Sequence, residues 1–383
     1  MTRPAYITRL SAFLPNRPVE NDEMERVLGQ TGERPSRARR VVLRKNGIRS
    51  RHYVIDPDTG VVRYNNAQLT AAAVRALCGD GYTLDRIQCI AVGTSLADQL
   101  MPSHGVMVHG ELGNPACEVV TTSGVCVAGV LALKYAWLAI KSGECDHAVA
   151  AGSEVASLAM RSQRFAAEKD SAVGAIEAQP ELAFEKDFLR WMLSDAAGAV
   201  ALAPEPRRDA SSLRIDWIDV FSYAHEMPAC MYAGADRAAD GRLTGWMQFD
   251  HAALGERSVF AVKQDVRLLN DHIALYCAEK PFAAVMQKRG LRAAGIDWFL
   301  PHLSSFFFEP KLAAVLEKIG LPIPRSRWFT NLATRGNTGS ASIYLMLEEL
   351  LTSGRAEPGQ RIICVVPESG RFSTAIMHLT VVQ

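Results

Sequence analysis

The sequence lacks the signatures of several large protein classes. It contains neither a GxGxxG nor a P-loop pattern, which leaves nicotinamide and nucleotide-hydrolysis chemistry without support. No run of residues approaches the length of a transmembrane helix, and residues 1–15 lack the uninterrupted apolar core of a signal peptide. The formal net charge of +1 gives no electrostatic reason to expect nucleic acid or an anionic membrane as a partner.

Paired or clustered cysteines are also missing. The eight cysteines are scattered, with no CxxC pair and no metal-ligand spacing to histidine. We therefore predict neither a metal nor a cofactor. Cysteines without a disulfide framework are typical of a reducing compartment, so the sequence predicts a cytoplasmic protein.

What the sequence does contain is an alternation of strand and helix patterns. Its 383 residues exceed what one hydrophobic core usually serves, so two packed halves are expected. An apolar content of 48% with 22% charged residues is ordinary for a globular enzyme. Apolar runs of strand length at 87–94, 147–152 and 194–202 alternate with helical segments, which predicts an α/β fold with covered parallel strands.

Cys126 lies at the start of a predicted helix. It follows Ser123 and Gly124 and precedes a segment that is apolar on nearly all sides, as expected for a central helix. The unpaired N–H groups of a helix N-terminus favour thiolate over thiol, so this position predicts an activated nucleophile. The alternative is that Cys126 is a small buried hydrophobe, as unpaired cysteines usually are.

The second half of the chain repeats the spacing of predicted helices and strands seen in the first half. Sixteen residues separate Cys126 from Ser142, and sixteen separate Asn337 from Ser353; a glycine and then a strand follow in both cases. This repeat predicts two similar halves, residues 1–203 and 204–383, with Cys126 and Asn337 at mirrored helix starts. The first half includes an excursion at 156–190, which we interpret as a lid or a subunit contact.

His302 and Asn337 supply polar side chains from the second half. Singly, His302 is more often a hydrogen-bonded structural histidine and Asn337 a helix N-cap. A cysteine thiolate transfers acyl groups well because thioesters exchange readily. A neutral imidazole and a carboxamide can both donate to a thioester carbonyl and stabilise the enolate formed when a malonyl group loses carbon dioxide. With Cys126 they form a set that favours carbon–carbon bond formation.

Several motifs occur in the order seen in the β-ketoacyl-ACP synthase III family of the thiolase superfamily. They are SGVCVAGVLAL, AAGSE, DAAGAVAL, Pro301-His302 and Gly336-Asn337-Thr338, together with the early NGIRSRH block and MPS at 101–103. The chain resembles this family over nearly its whole length.

This resemblance implies a duplicated αβαβα fold with parallel-rich mixed sheets, and a homodimer. It also implies an acyltransferase whose partners are acyl carrier protein (ACP) and acyl thioesters. By this resemblance Cys126 carries the acyl group, while His302 and Asn337 support decarboxylative condensation.

Two departures from the family pattern fall at the expected site. Leu303-Ser304-Ser305 follows His302 where the family usually has Gln-Ala-Asn. Pro367-Glu368-Ser369-Gly370 replaces the glycine triplet that completes the oxyanion hole. The backbone N–H of Ser369 is then expected to serve in this hole beside that of Cys126.

Other departures concern the substrate. Met101 stands where a partner subunit usually inserts a phenylalanine into the acyl pocket, and a methionine there is compatible with a longer chain. The tryptophan that stacks on adenine in members using acetyl-CoA is absent. These features resemble the secondary-metabolism branch, such as condensing enzymes that form dialkylresorcinols or cyclohexanediones. The alternatives are an acyltransferase to an oxygen nucleophile and a non-catalytic partner subunit of a ketosynthase complex.

Residues 31–45 form a strongly basic run. Most such runs are solvated faces. The functional alternative is that Arg37, Arg39 and Arg40 form a rim that binds the acidic carrier protein and so contribute to substrate binding.

Overall fold

The computed structural model describes residues 3–30, 37–165, 189–238 and 240–383. In these ranges no helix combines the length and apolarity needed to cross a membrane. Of the predicted excursion at 156–190, the structure describes a short helix and a 3-10 turn up to residue 165 and then residues 189 and 190. The rest of the excursion lies outside the described residues.

Fifteen strands lie in the described chain. The strands are β1 Tyr6–Phe13, β2 Val19–Glu20, β3 Ser50–Arg51, β4 Cys89–Thr94, β5 Glu118–Ser123, β6 Ala148–Glu154, β7 Ala196–Ala203, β8 Ser212–Ser222, β9 Met231–Tyr232, β10 Ala235–Arg237, β11 Leu243–Gly245, β12 Lys263–Gln264, β13 Trp298–Pro301, β14 Arg361–Glu368 and β15 Ser373–Val382.

The helices include one interrupted pair. A π-turn, Leu275–Glu279, joins α8 to α9. The helices are α1 Met24–Leu28, α2 Arg37–Asn46, α3 Asn66–Arg75, α4 His104–Leu112, α5 Val127–Ser142, α6 Ala156–Ala159, α7 His251–Glu256, α8 Val266–Ala274, α9 Lys280–Arg289, α10 Glu309–Lys318, α11 Leu332–Arg335 and α12 Ser342–Thr352.

Nine of these strands form one mixed sheet in the order β13-β14-β15-β8-β1-β7-β6-β4-β5. The order is mirrored about its centre: β4 pairs in parallel with β5 and β6 on one side, and β13 pairs in parallel with β14 on the other. Trp328 bridges Phe299 of β13 in parallel, at the position that β5 occupies beside β4. The α/β class and the mixed sheet are confirmed, although five of the eight strand pairs are antiparallel.

The core has a layered organisation around α5 and α12. Both helices are apolar on most sides, and their buried residues join one cluster with the inner faces of β4, β6, β7, β14 and β15. Helices α3 and α4 cover the outer face of the first half-sheet, and α9 and α10 cover that of the second. This is the expected αβαβα arrangement. The predicted boundary after residue 203 falls at the end of β7, but the division into two halves stays a prediction because β1 pairs with both β7 and β8.

Two glycines allow the second half of the chain to approach the first closely. A Cβ at Gly129 of α5 would lie 2.1 Å from the carbonyl oxygen of Ser340, and one at Gly152 of β6 would lie 2.3 Å from it. The hydroxyl of Tyr344 donates to the carbonyl of Gly129 at 2.7 Å. These contacts press the turn before α12 against α5 and β6, which places the Asn337 segment beside the Cys126 segment.

Candidate active site

Cys126 lies directly before α5. It is the N-cap residue of that helix, with φ −64° and ψ −31°. The strands β4, β5 and β6 end together next to it, because Thr94 pairs with both Ser123 and Ser153 in register. The predicted helix start is therefore confirmed, and it lies at the carboxyl edge of three parallel strands.

His302 follows the end of β13. Its backbone N–H donates to the carbonyl of Val365 at 2.8 Å, which fixes it beside β14. Its Nδ1 lies 2.6 Å from Oγ of Ser342, the first residue of α12. Burial lowers the pKa of His302 to about 4, so the ring is neutral at neutral pH. With the Ser342 hydroxyl as donor to Nδ1, Nε2 carries the ring proton and can donate a hydrogen bond.

Asn337 lies in a loop and does not itself open a helix. A 3-10 turn, Gly339–Ala341, comes first, and α12 begins only at Ser342, so the expected helix start at Asn337 is corrected by five residues. The backbone N–H and C=O of Asn337 both pair with the segment 192–194 at 2.9 Å. Its Oδ1 accepts from the N–H of Gly339 at 3.0 Å. The side-chain NH₂ group is therefore the part that can donate to a ligand.

One cavity of about 390 Å³ brings these residues together. Cys126, His302, Asn337 and Ser369 all contribute to its wall, although they come from distant parts of the chain. Most of the remaining wall is apolar and suits a hydrocarbon chain. It includes Leu96, Met160, Leu189, Met192, Leu193, Met231, Val262, Leu269, Ile273, Leu303, Phe308, Leu312 and Val365.

Glu154, the last residue of β6, is an acidic group in the cavity wall. Its carboxylate accepts from the N–H and the hydroxyl of Ser95, at 3.1 and 2.5 Å, and from the N–H of Ser340 at 3.1 Å. Burial raises the pKa of Glu154 to about 7. These bonds hold the end of β4 against the turn that follows Asn337, so Glu154 ties the two sides of the site together.

The surroundings of Cys126 contradict the expectation of an activated thiolate. Oε2 of Glu368, the last residue of β14, accepts from the N–H groups of Val125 at 2.8 Å and Val127 at 3.1 Å. Burial raises the pKa of Cys126 well above its usual value, and the charges of Glu368 and Glu154 raise it further. The helix N-terminus is present, but it stabilises a carboxylate. Burial and these two carboxylates therefore favour the thiol over the thiolate in the unloaded protein.

Two further predicted residues lie in different environments. Ser369 lines the cavity, and its Oγ accepts from Nε2 of the buried Gln264 at 3.0 Å. Met101 does not line the described cavity wall of its own chain and is 85% exposed. The oxyanion-hole role of Ser369 and the role of Met101 as a plug in a partner subunit stay predictions.

The predicted basic rim lies on α2. The guanidinium of Arg39 pairs with Glu25 at 2.8 Å and lies over the ring of Trp191, so this side chain helps to hold α2 in place. Arg40 is exposed on the same helix. The side chain of Arg37 lies outside the described residues. A carrier-binding role for the rim stays a prediction.

Two residues of the site have sequence signals that are weak or easily misread. Ser342 opens an apolar helix, where a serine is common for local reasons, and only the fold shows that it contacts His302. Glu368 is visible in the sequence as a departure from a glycine triplet, but its contact with the amides around Cys126 needs the tertiary structure.

Two family models match the chain at the segments that carry this site. Residues 112–207 match the N-terminal domain of β-ketoacyl synthases, and residues 286–377 match the C-terminal domain of 3-oxoacyl-[acyl-carrier-protein] synthase III. The first segment contains Cys126, and the second contains His302 and Asn337.

Curated relatives match almost end to end. β-Ketoacyl-[acyl-carrier-protein] synthase III of Ruegeria sp. is 24% identical, with 95% of each chain covered. Synthase III 3 of Streptomyces coelicolor is 27% identical and covers 95% of this chain and 93% of its own.

Solved structures share the fold at lower identity. FabH, the synthase III of Pseudomonas aeruginosa, has a TM-score of 0.71 at 19% identity, covering 100% of this chain and 99% of its own. The tetronic acid condensing enzyme AbyA1 has a TM-score of 0.72 at 21% identity, covering 98% and 99%. A Cys-to-Ser variant of Xanthomonas campestris OleA, with bound lauric acid and lauroyl-CoA, has a TM-score of 0.73 at 21% identity, covering 99% and 100%.

The fold, together with the family models and the curated relatives, defines a condensing enzyme of the acyltransferase class with a thiolase-like architecture. Within that class, the family models and the curated relatives support a member of the β-ketoacyl-ACP synthase III family.

Proposed function

We propose that the protein loads an acyl group onto Cys126 and condenses it with a second, ACP-bound thioester. The observation that carries this proposal is the convergence of Cys126, His302 and Asn337 on one largely apolar cavity. A cysteine, a neutral imidazole and a carboxamide supply the nucleophile and the two donors that thioester condensation requires.

The loading half-reaction takes place at the N-terminus of α5. Sγ of Cys126 attacks the donor thioester carbonyl, the thiol proton is transferred to the departing thiol, and the acyl group remains on Cys126. The tetrahedral oxyanion accepts from the backbone N–H groups of Cys126 and Ser369, whose segments both border the cavity. This assignment makes Ser369 part of the oxyanion hole.

The condensation half-reaction uses the second half of the chain. The Nε2–H of His302 and the NH₂ group of Asn337 donate to the carbonyl of the second thioester and stabilise its enolate. The enolate forms when a malonyl group loses carbon dioxide or when a β-ketoacyl group gives up its acidic α-proton to solvent. The enolate carbon then attacks the acyl-Cys126 carbonyl, a carbon–carbon bond forms, and the bond to Sγ breaks. The released sulfur takes up a proton from solvent, which restores the thiol. The low pKa of His302 supports this role because a neutral ring can donate without first losing a charge.

The cavity wall supports substrates with two long acyl chains. Met160, Leu189 and Met192 belong to one apolar cluster of the fold, whereas Leu269 and Cys277 belong to another. All five border the same cavity as the nucleophile. Two separate apolar walls suit the joining of two acyl chains in secondary metabolism, with a dialkylresorcinol or cyclohexanedione as the product. The structural likeness to AbyA1 and OleA is in keeping with this proposal.

Incubation with pairs of thioesters tests the proposed function. One long-chain acyl-ACP or acyl-CoA is supplied with one β-ketoacyl-ACP or malonyl-ACP, and mass spectrometry follows both the intact protein and the released products. We expect an acyl adduct on Cys126. With the β-ketoacyl partner the product should contain both chains, and with the malonyl partner it should be the acyl chain extended by the decarboxylated malonyl unit. An adduct that is transferred only to alcohols would indicate an acyltransferase to oxygen, and no adduct from any donor would indicate a non-catalytic subunit.

Charge reversal on α2 tests carrier binding. Arg40→Glu combined with Arg44→Glu places two acidic side chains on the exposed face of this helix. At low salt we expect about a tenfold loss of kcat/KM with acyl-ACP and little change with a small thioester, because steering acts only on the acidic carrier. The loss should shrink as salt is added.

Arg292→Glu is the matched control for this reversal. Arg292 is exposed and precedes β13, whose opposite end leads to His302, so it lies at the other end of the sheet from the site. Equal kinetics of both charge variants with acyl-ACP would contradict a docking role for α2.

We also propose a cytoplasmic homodimer. The exposed Met101 and the outer position of β5 in the sheet provide an apolar residue and a strand edge that a second copy can cover. The free state of all eight cysteines suits a reducing compartment.

A further inference from the structure

Glu368 places a carboxylate beside Cys126. A negative charge at this position disfavours a thiolate on Cys126. Its carboxylate accepts from the amides of Val125 and Val127, which flank the nucleophile on both sides. The space it fills is bordered by two glycines: a Cβ at Gly124 or Gly370 would lie 3.4 Å from a carboxylate oxygen. The carboxylate is therefore fitted into the turn that carries Cys126.

This carboxylate has no cationic partner among the described residues. Within them, no lysine, arginine or histidine lies within ion-pair distance of Glu368. The two amides hold it by charge-assisted hydrogen bonds, while burial opposes its ionisation. The positive end of α5 is thus the stabilising environment for this charge.

Other ionisable groups also lie near Cys126, but their side chains do not accept from the two amides that flank it. Glu154 faces it from the end of β6 and is held by Ser95 and Ser340. His302 faces the cavity as a neutral ring, and Cys277 approaches from the π-turn, where its thiol donates to the backbone carbonyl of Glu368 at 3.6 Å. Glu368 is the one described group in this set whose side chain binds the amides beside the nucleophile.

We propose that Glu368 is a positioning residue that keeps Cys126 in the thiol form until an acyl donor binds. The amides at the start of α5 already stabilise the carboxylate of Glu368. A thiolate on Cys126 would place a second negative charge on the same turn, and repulsion between the two charges favours the thiol. Acylation removes the conflict because a thioester carries no charge. The unloaded nucleophile is thereby protected from alkylation and oxidation, which act on thiolates.

The proposal rests on Cys126 being the nucleophile, and it predicts a measurable change in thiol reactivity. Glu368→Gln keeps the size of the side chain and one acceptor oxygen but removes the charge. At about pH 7.5 we expect alkylation of Cys126 by iodoacetamide to become about tenfold faster, the effect of lowering the thiol pKa by about one unit. The pH at half-maximal rate should fall by the same amount.

Peptide mass spectrometry measures this rate at Cys126 separately from the other seven cysteines. Glu348→Gln is the matched control, because it removes a partly buried carboxylate of α12 that does not act on Cys126. Equal pH profiles of the wild type and Glu368→Gln would overturn the proposal. So would an equal acceleration in Glu348→Gln, which would indicate a general charge effect.

Folding of the variant is checked by its unfolding midpoint. Glu368→Gly, which also removes the charge, replaces Glu368→Gln if the latter does not fold; failure of both to fold would overturn the proposal by assigning Glu368 a purely structural role. Alkylation needs no acyl donor, so this result is independent of whether acyl loading and condensation occur. A failed loading assay with the expected alkylation profile would count against the proposed function alone.

Discussion

Replacing Cys126 by alanine is expected to abolish acyl loading, whereas replacing Asn337 by alanine is expected to leave loading intact and to suppress condensation. The first change removes the only atom that carries the acyl group in the proposed mechanism. The second removes one donor to the enolate oxygen, and loss of one such donor typically lowers the rate by about 10²–10³-fold. Intact-protein mass spectrometry reports loading, and product formation reports condensation.

The position of Asn337 makes this separation physically reasonable. Among the described residues, its side chain bonds only to the N–H of Gly339 in its own loop, while its backbone is held by the segment 192–194. Truncation at Cβ therefore leaves the loop in place. Equal loss of loading in both variants, with unfolding midpoints like that of the wild type, would contradict separate roles for Cys126 and Asn337.

Gly152→Ala is expected to destabilise the protein by about 3 kcal/mol, at the upper end of the usual range for overpacking in a core. The added Cβ would lie 2.3 Å from the carbonyl oxygen of Ser340, and both groups belong to buried backbone that cannot move aside without loss of neighbouring contacts. Relief of this clash would also shift the turn that follows Asn337. Denaturant unfolding should show the lower free energy, and the condensation rate should fall together with it.

Gly110→Ala on α4 provides the matched control. This glycine is exposed, and an added Cβ would meet nothing within 4 Å. Because alanine favours the helix by about 0.5–1 kcal/mol over glycine, this variant should be slightly more stable than the wild type. An unfolding free energy of Gly152→Ala equal to that of Gly110→Ala would show that the close contact between β6 and the turn is absent in solution.

The sequence predicts the site residues better than it predicts their electrostatics. The helix start at Cys126 and the strand end before His302 each leave a local signature. Burial raises the pKa of Cys126, and after burial the charge of Glu368, which lies more than two hundred residues further along the chain, raises it further. A local reading of the helix N-terminus therefore predicts a thiolate, and the fold reverses that prediction.

The strands of the fold were similarly predictable, while their pairing was only partly so. Apolar runs such as 87–94 read correctly as buried strands, because both faces of β4 are covered by helices. The antiparallel pairs on either side of β1 have no such local signal, since a fully buried antiparallel strand and a fully buried parallel one require the same side chains. The repeat spacing gave the mirrored order but did not separate the 3-10 turn at Gly339–Ala341 from α12.

The central position of β1 has a consequence for biosynthesis. This strand leaves the ribosome well before its partner β7, which follows roughly 190 residues later in the chain, and pairing at such sequence distance is slow. Until then β1 is an unpaired, mostly apolar edge, which is the kind of segment that chaperones cover. The pieces of the cavity assemble later still, once the 337 loop has docked, so incomplete chains released during translation would carry a cysteine but no condensing activity.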